Sequence, residues 1–280
     1  MSVINTNVAS LNAQAALANN SRGLQKAMEQ LSTGKRINSA SDDAAGLAIA
    51  SKMTAQIRGL NQAVRNASDA ISMIQTAEGA TSEISNMLQR MRELAVQAAN
   101  DTNSTSDRSS LNAEFTALRS EIDRITATTQ WNGFNVLDGS AGSGGSVTFQ
   151  VGANSGGSNA VSTDFDDLGT GASGALVGIS ASALTSLSDA SAAIDATNDA
   201  IATIDEKRGE MGAVINRFQY TVDNLTNIST NAAASRSRIQ DTDYSQATTD
   251  LAKRQIIQQA ATAMLAQANQ QPQTVLQLLR

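Results

Sequence analysis

A single proline, Pro272, stands in a chain of 280 residues. Proline interrupts helices by removing a backbone donor and crowding the preceding turn, so almost the whole backbone is free to be helical. Aromatic residues make up only 3% of a chain that is 41% hydrophobic. The remaining apolar mass is mostly Ala, with Leu, Ile, Val and Met. A thick globular core leans on aromatic area, whereas this composition suits close helix–helix packing. Long, thin helices are the expectation.

The spacing of apolar residues agrees. Ile4, Val8, Leu11, Ala15 and Ala18 step by four and three, and Leu24, Met28 and Leu31 resume the pattern after a shift. This is a seam along one helix face. Gly34, Asn38, Ser39, Asp42 and Asp43 break it. Ser39 and Asp42 have the spacing of a capping box, with Asp42 and Asp43 favourable beside the positive end of a helix. A second helix is expected from about residue 44 to 100, on Ile57, Leu60, Val64, Ala67, Ile71 and Ile74 and then Thr81, Ile84, Leu88, Met91, Ala95 and Ala98. Its reach is roughly 85 Å at ~1.5 Å per residue. A short loop at 100–106 makes the third helix, carrying Leu111, Phe115, Leu118, Ile122 and Ile125, an antiparallel neighbour of the second.

The middle of the chain changes character. Trp131-Asn132-Gly133-Phe134 contains the Asn-Gly pair favoured in two-residue hairpins, and Val147, Phe149 and Val151 alternate with polar residues as in a half-buried strand. Gly, Ser and Asp surround them, and the stretch is too short to bury a core of its own. Helical spacing then returns: Ile204, Met211, Phe218 and Leu225 recur every seven residues, with Ile201, Ile215 and Val222 as partners. A last seam runs through Ala247, Leu251, Gln258, Ala261, Leu265 and Ala268. The expected fold is mainly α, a long antiparallel helical bundle or coiled coil formed by the N- and C-terminal halves, with a small β-hairpin subdomain in the middle. The expected division is a terminal coiled-coil core of 1–43 and 236–280, a long-helix domain of 44–140 and 184–235, and a short β- and turn-rich connector, 141–183, that belongs to the second.

Several chemistries are excluded by what is missing. Without cysteine there are no disulfides, thiolate metal sites or Cys nucleophiles. Without histidine the commonest metal ligand and general base are gone, and with them every Ser-His-Asp triad. A net charge of −6 argues against nucleic acid as the main partner, since such a face needs clustered Lys and Arg. Residues 1–21 lack the positive segment of a secretory leader, and Gln255–Leu279 is too rich in Gln and Asn for membrane insertion. Asp42 with Asp43 reads as helix capping, and Asp164 with Asp166 and Asp167 as a solvated loop, because no spaced calcium-ligand set surrounds either. No cofactor, metal or catalytic residue is expected. A coiled-coil signalling module, which predicts a discrete dimer with ordered ends, is the binding-class alternative.

Charge placement separates these readings. The first 21 residues carry no ionisable side chain, and neither does Gln255–Leu279. A solvated helix normally carries charges on its outer face. Helices that are polar only through Asn, Gln, Ser and Thr suit burial against other chains, where charge is costly and amides are satisfied. Ends that are unfolded when free and ordered on assembly fit the same pattern.

Specific motifs carry a resemblance. Ile4-Asn5-Thr6-Asn7 with Leu11-Asn12-Ala13-Gln14, then Leu31 through Ala40 and Asp42 through Ile49, resemble the start of bacterial flagellins. The block Leu88–Gln97, the turn Trp131-Asn132-Gly133, Ser235 through Ile239, Leu265 through Gln270 and Val275 through Arg280 are similar to that family too. The resemblance covers about 1–140 and 184–280. It implies a subunit that polymerises into the helical filament of the bacterial flagellum, the propeller for motility, with the large outer domains of many members missing. It implies export unfolded through the flagellar type III apparatus, hence secretion to an extracellular flagellum. The implied partners are further copies of itself, an export chaperone on the C-terminal helix, and the filament cap and hook-junction proteins. The terminal seams become the subunit interface, with Ile4, Val8, Leu11, Leu251, Leu265, Val275, Leu278 and Leu279 as key positions. Gln89, Arg90, Leu94, Gln97 and Glu114 are similar to the region contacted by the Toll-like flagellin receptor of animal hosts, and Met91 looks like a variation within that block that matters little. Val275, Leu276, Leu278 and Leu279 look like the C-terminal leucines sensed by cytosolic host receptors.

Overall fold

Alanine at every third or fourth position narrows a helix face and lets a neighbouring backbone approach. The buried stripe of the longest helix is built that way: Ala63, Ala67, Ala70, Ile74, Ala77, Ile84, Leu88, Met91, Ala95 and Ala98. A computed structural model of the chain describes residues 6–278, with side chains through residue 270. Among the described residues six α-helices and four short strands follow in the order α1 (Val8–Thr33), α2 (Ala44–Ala98), α3 (Thr105–Thr128), β1 (Gln130–Trp131), β2 (Phe134–Asn135), β3 (Ser146–Gln150), β4 (Ala160–Asp164), α4 (Val177–Ser180), α5 (Leu187–Gln240) and α6 (Tyr244–Leu278). The chain divides into two compact units. One holds the residues up to Ile57 and from Thr230 onward, and the other is Arg58–Ser229. Both α2 and α5 contribute to each.

In Arg58–Ser229, α2 packs antiparallel to both α3 and α5. Arg108 Nε donates to the Ala98 carbonyl at 2.9 Å near the α2–α3 turn. Ser229 Oγ donates to Asn61 Oδ1 at 2.9 Å, and Arg92 Nε donates to Asn198 Oδ1 at 2.7 Å. α3 opens on a complete capping box: Ser104 Oγ accepts from Asp107 N, and the Asp107 carboxylate accepts from Ser104 N. Phe115 and Ile122 of α3 and Ile204, Met211 and Phe218 of α5 complete one apolar cluster with the α2 stripe.

The middle segment joins that cluster. β1 and β2 form a hairpin whose two-residue turn, Asn132 (φ 49°) and Gly133 (φ 83°), has the positive φ at both positions that a type I′ turn requires. β3 and β4 pair antiparallel from Ser146↔Asp164 to Gln150↔Ala160. Val136, Leu137, Phe165, Leu168, Leu176, Ile179 and Leu184 are all buried in the shared core. Phe149 of β3 meets Phe218 of α5 edge to face, with ring centroids 5.6 Å apart. Ala153, after β3, seats against α2 at Gly59, where a Cβ would come within 2.9 Å of the Ala153 methyl. The Gly- and Ser-rich composition conceals this contribution, because the buried residues sit singly between turns instead of forming a periodic run.

In the other unit α1 pairs antiparallel with α6. α1 ends at Gly34, which is left-handed at φ 69° and donates to the Gln30 carbonyl. The chain beyond it is tied down by two backbone bonds, Arg36 N to Gln240 O at 2.7 Å and Thr242 N to Gly34 O at 3.0 Å. The expected capping role of Asp42 is corrected here. α2 starts at Ala44, and Asp43 supplies the cap by accepting from Gly46 N at 2.9 Å. Asp42 turns back, accepting from Asn38 N and Ser39 N at 3.1 Å each and pairing with Lys26 at 2.7 Å. With that carboxylate saturated by an ammonium and two amides, the open helix amide falls to the next residue.

The connector's share of the core is measurable. Phe165→Ala should destabilise Arg58–Ser229 by about 3–5 kcal/mol, as expected for a buried aromatic. A solvated connector predicts a change within ~0.5 kcal/mol. Urea unfolding of the two chains, followed by circular dichroism, distinguishes these outcomes.

Candidate subunit interface

The face that α1 turns toward α6 is not the seam through Val8 and Leu11. Asn7 Nδ2 donates to the Ala268 carbonyl at 2.7 Å, Ser10 Oγ to Asn269 Oδ1 at 2.9 Å, and Asn20 Nδ2 to the Arg254 carbonyl at 2.8 Å. Ser10, Asn20 and Ala27 are the buried positions of α1, and Ala13 and Leu17 are half-buried between the first two. Ser10, Ala13, Leu17 and Asn20 each follow a seam position, Val8, Leu11, Ala15 or Ala18, by two residues. At 100° per residue, two steps turn to nearly the opposite side of the helix. Only after the shift in spacing do Leu24 and Leu31 fall on the inward side, where they are half-buried.

Val8 and Leu11 are accordingly 53% and 54% exposed, and Met28 is exposed too. On α6 the predicted stripe does face α1: Leu251, Gln258, Ala261, Leu265 and Ala268 are half-buried, and Ala247 is fully buried. Ile256 lies on the opposite side, Ile257 and Met264 flank the stripe, and all three are exposed. Ile4 and Leu279 lie outside the described residues, as do the side chains of Val275 and Leu278. The pairing therefore leaves apolar positions outward on both helices, in stretches with no charge to keep them solvated.

A second set of singled-out residues lies on α2 and α3. Gln89, Arg90, Gln97 and Glu114 are exposed, whereas Leu94 is buried, so its side chain supports that surface from behind. Met91 is fully buried in the shared core. Its apolar character is fixed by packing. Arg90 spans two helices: Nε and Nη2 donate to Glu114 Oε1 at 3.0 and 2.9 Å, and Nη1 to Glu93 Oε2 at 3.0 Å. Glu114 foremost, then Glu93, raises the guanidinium pKa above its ordinary value.

Several other carboxylates are occupied locally. Asp166 and Glu210 flank the Lys207 ammonium at 2.6 and 2.9 Å, and this raises the lysine's pKa. Asp167 accepts from Gly169 N at 2.8 Å. Asp123 accepts both the amide and the hydroxyl of Thr170 at 2.9 Å. Among the described residues no three acidic side chains converge as a metal site, and no helix is long and apolar enough to cross a membrane.

Comparison with known proteins identifies the family. Residues 4–142 match the model of the bacterial flagellin N-terminal helical region, and residues 194–279 match that of the C-terminal helical region. The chain belongs to the bacterial flagellin family. It is 48% identical over 278 residues to the flagellin of Halalkalibacterium halodurans, covering 99% of this chain and 100% of that one. It is 41% identical over 304 residues to the flagellin of Bacillus subtilis, covering 99% of each. The crystal structure of Bacillus cereus flagellin superposes with a TM-score of 0.50 at 34% identity, covering 61% of this chain and 94% of that one. As a flagellin, the chain is a structural subunit that self-assembles into the filament of the bacterial flagellum, and it is not an enzyme.

Asp42 gives the tie between α1 and the α1–α2 loop a pH dependence. Its bond to Lys26, followed by the Ser39 and Asn38 amides, lowers its pKa from 3.8 to about 2. A depressed carboxylate contributes stability that is fully present above its unfolded pKa and lost as pH falls through the folded one. The thermal midpoint should thus fall more steeply between pH 4 and pH 2 in the wild type than in Asp42→Asn, and the two should converge near pH 2. Parallel pH profiles would remove this role.

Proposed function

We propose that the outward apolar positions of α1 and α6 form the contact between neighbouring subunits. The observation that carries this reading is Val8 and Leu11, exposed on a stretch of helix whose inward face is Asn, Ser and Ala with a single leucine, Leu17. An apolar stripe turned from its own chain in an uncharged segment is complementary to another copy. Ile4, Val275, Leu278 and Leu279 extend the same surface in our assignment, and Leu251 and Leu265 position α6 against α1 behind it. Residues 1–43 with 236–280 then form the filament's inner core domain, and 44–140 with 184–235 the long-helix domain to which 141–183 belongs. The break between α1 and α2 and the backbone bonds of Arg36 and Thr242 support that first boundary. Secretion unfolded through the type III apparatus, with an export chaperone on the C-terminal helix and the cap and hook-junction proteins at the filament ends, completes the reading by resemblance.

Electron microscopy of purified subunit seeded with short filament fragments tests the interface. The intact chain should give long uniform filaments. Val8→Asp with Leu11→Asp, or a chain trimmed of residues 1–20 and 255–280, should give none, while the melting transition of Arg58–Ser229 is unchanged. Discrete dimers in every sample would overturn the assignment.

A second reading concerns free subunit. Gln89, Arg90, Gln97 and Glu114 form an exposed polar patch across α2 and α3, held from behind by Leu94, and Arg90 offers the planar donor set suited to an interface anchor. We assign it as the face a host Toll-like flagellin receptor grips. Arg90→Ala should weaken capture of receptor ectodomain by monomer about tenfold or more, roughly 1.4 kcal/mol. Equal capture would remove the assignment.

A further inference from the structure

A subunit that extends a filament must join its copies through two different faces, because a contact between identical patches closes into a dimer. The unit Arg58–Ser229 carries such a pair of faces at opposite ends of its antiparallel α2–α5 ladder. One end is marked by the Asn61–Ser229 bond and the other by Arg92–Asn198. Near the first end α2 exposes Arg58 and Arg65. They are seven residues apart, so they share one helix face at a spacing of ~10.5 Å. Arg65 bonds only the neutral amide of Gln62, and among the described residues neither arginine forms a salt bridge.

Toward the second end α5 exposes Asp199 and Glu206, again seven residues apart and again outside any salt bridge. The two faces are about 40 Å apart along the helices, at ~1.5 Å per residue. They cannot meet within one chain.

We propose that the α2 face of one subunit docks on the α5 face of a second copy, with Arg58 against Glu206 and Arg65 against Asp199. This rests on the filament reading and adds to it a second, electrostatic contact away from α1 and α6. Both pairs fall in a single antiparallel register, displaced by about 26 residues from the one α2 and α5 adopt within the chain, roughly 40 Å. Between the two pairs Gln62 faces Ala202, a small residue that leaves room for the amide. The same register sets Asp69 opposite Asp195, and this like-charge pair opposes the contact at one edge. Exposed pairs are individually weak and screened by salt, but the contact repeats at every step of a polymer.

Charge exchange tests it. Arg58→Glu with Arg65→Glu, and separately Asp199→Lys with Glu206→Lys, each place like charges across the contact. Each should raise the critical concentration for seeded polymerisation at low salt by about tenfold. A one-to-one mixture of the two double variants, and the quadruple variant carrying all four changes, both restore opposite charges and should return within about twofold of the wild type. Asp69→Asn should lower the critical concentration. Circular dichroism melts of each variant separate loss of folding from loss of contact.

Double variants that polymerise like the wild type, or folded double variants that fail both alone and mixed, overturn the proposal. In either case wild-type filaments that still depend on residues 1–20 and 255–280 leave the α1–α6 interface standing. Absence of wild-type filaments would instead sink the interface reading itself.

Discussion

The burial of one stripe of α2 is the interaction on which Arg58–Ser229 depends. Its alanines bring α3 and α5 close enough for Ile84, Leu88, Met91, Phe115, Ile122 and Phe218 to interdigitate. At about 1.5–3 kcal/mol for each fully buried large apolar side chain, this is the dominant favourable term in a unit with few aromatics. The helices alone would leave one side of that cluster wet. Phe165, Leu168, Leu176 and Ile179 cover it from the middle segment, so strands that are marginal alone are held by the packing they complete.

Much of this is legible in the spacing of apolar residues. That spacing assigns positions 57–98 to one seam, and Ile57, Leu60, Ala67, Ile74, Ile84, Leu88, Met91, Ala95 and Ala98 are all buried. The hairpin turn at Asn132-Gly133 is legible from turn chemistry alone. The contribution of 141–183 to the core is not, because beyond Val147, Phe149 and Val151 its buried apolar residues stand singly between turns. The true capping boundary is also hidden. Ser39 and Asp42 have the right spacing, but a lysine from α1 competes for the carboxylate, and no local pattern reports a partner sixteen residues away.

The α1 seam teaches a different lesson. Its period identifies a helix, and that much is observed. Period says nothing about which neighbour a face meets. Over its first half α6 takes the side lined by Asn7, Ser10 and Asn20, which leaves Val8 and Leu11 outward. The break in spacing between Ala18 and Leu24 is where the apolar stripe crosses from the outward side to the inward one. Leu94 shows the same ambiguity at smaller scale. A motif marks the neighbourhood of a surface, while burial decides which of its members a partner can touch.

The amides that join α1 to α6 bring a mechanical property with them. Asn7 and Asn20 donate to main-chain carbonyls, of Ala268 and Arg254, and not to shaped apolar sockets. Between them Leu17 is the one leucine on the inward side, and it is only half-buried. Carbonyls on one face of a helix recur every three or four residues, about 5 Å apart, so a slip of one turn brings an equivalent acceptor within reach. A leucine zipper, knobbed at every turn, offers no such freedom, since each knob must leave its hole before finding another. The paired ends thus form a joint with one equivalent seating per helical turn. A step of one turn exchanges one set of carbonyl acceptors for the next and keeps the number of amide bonds.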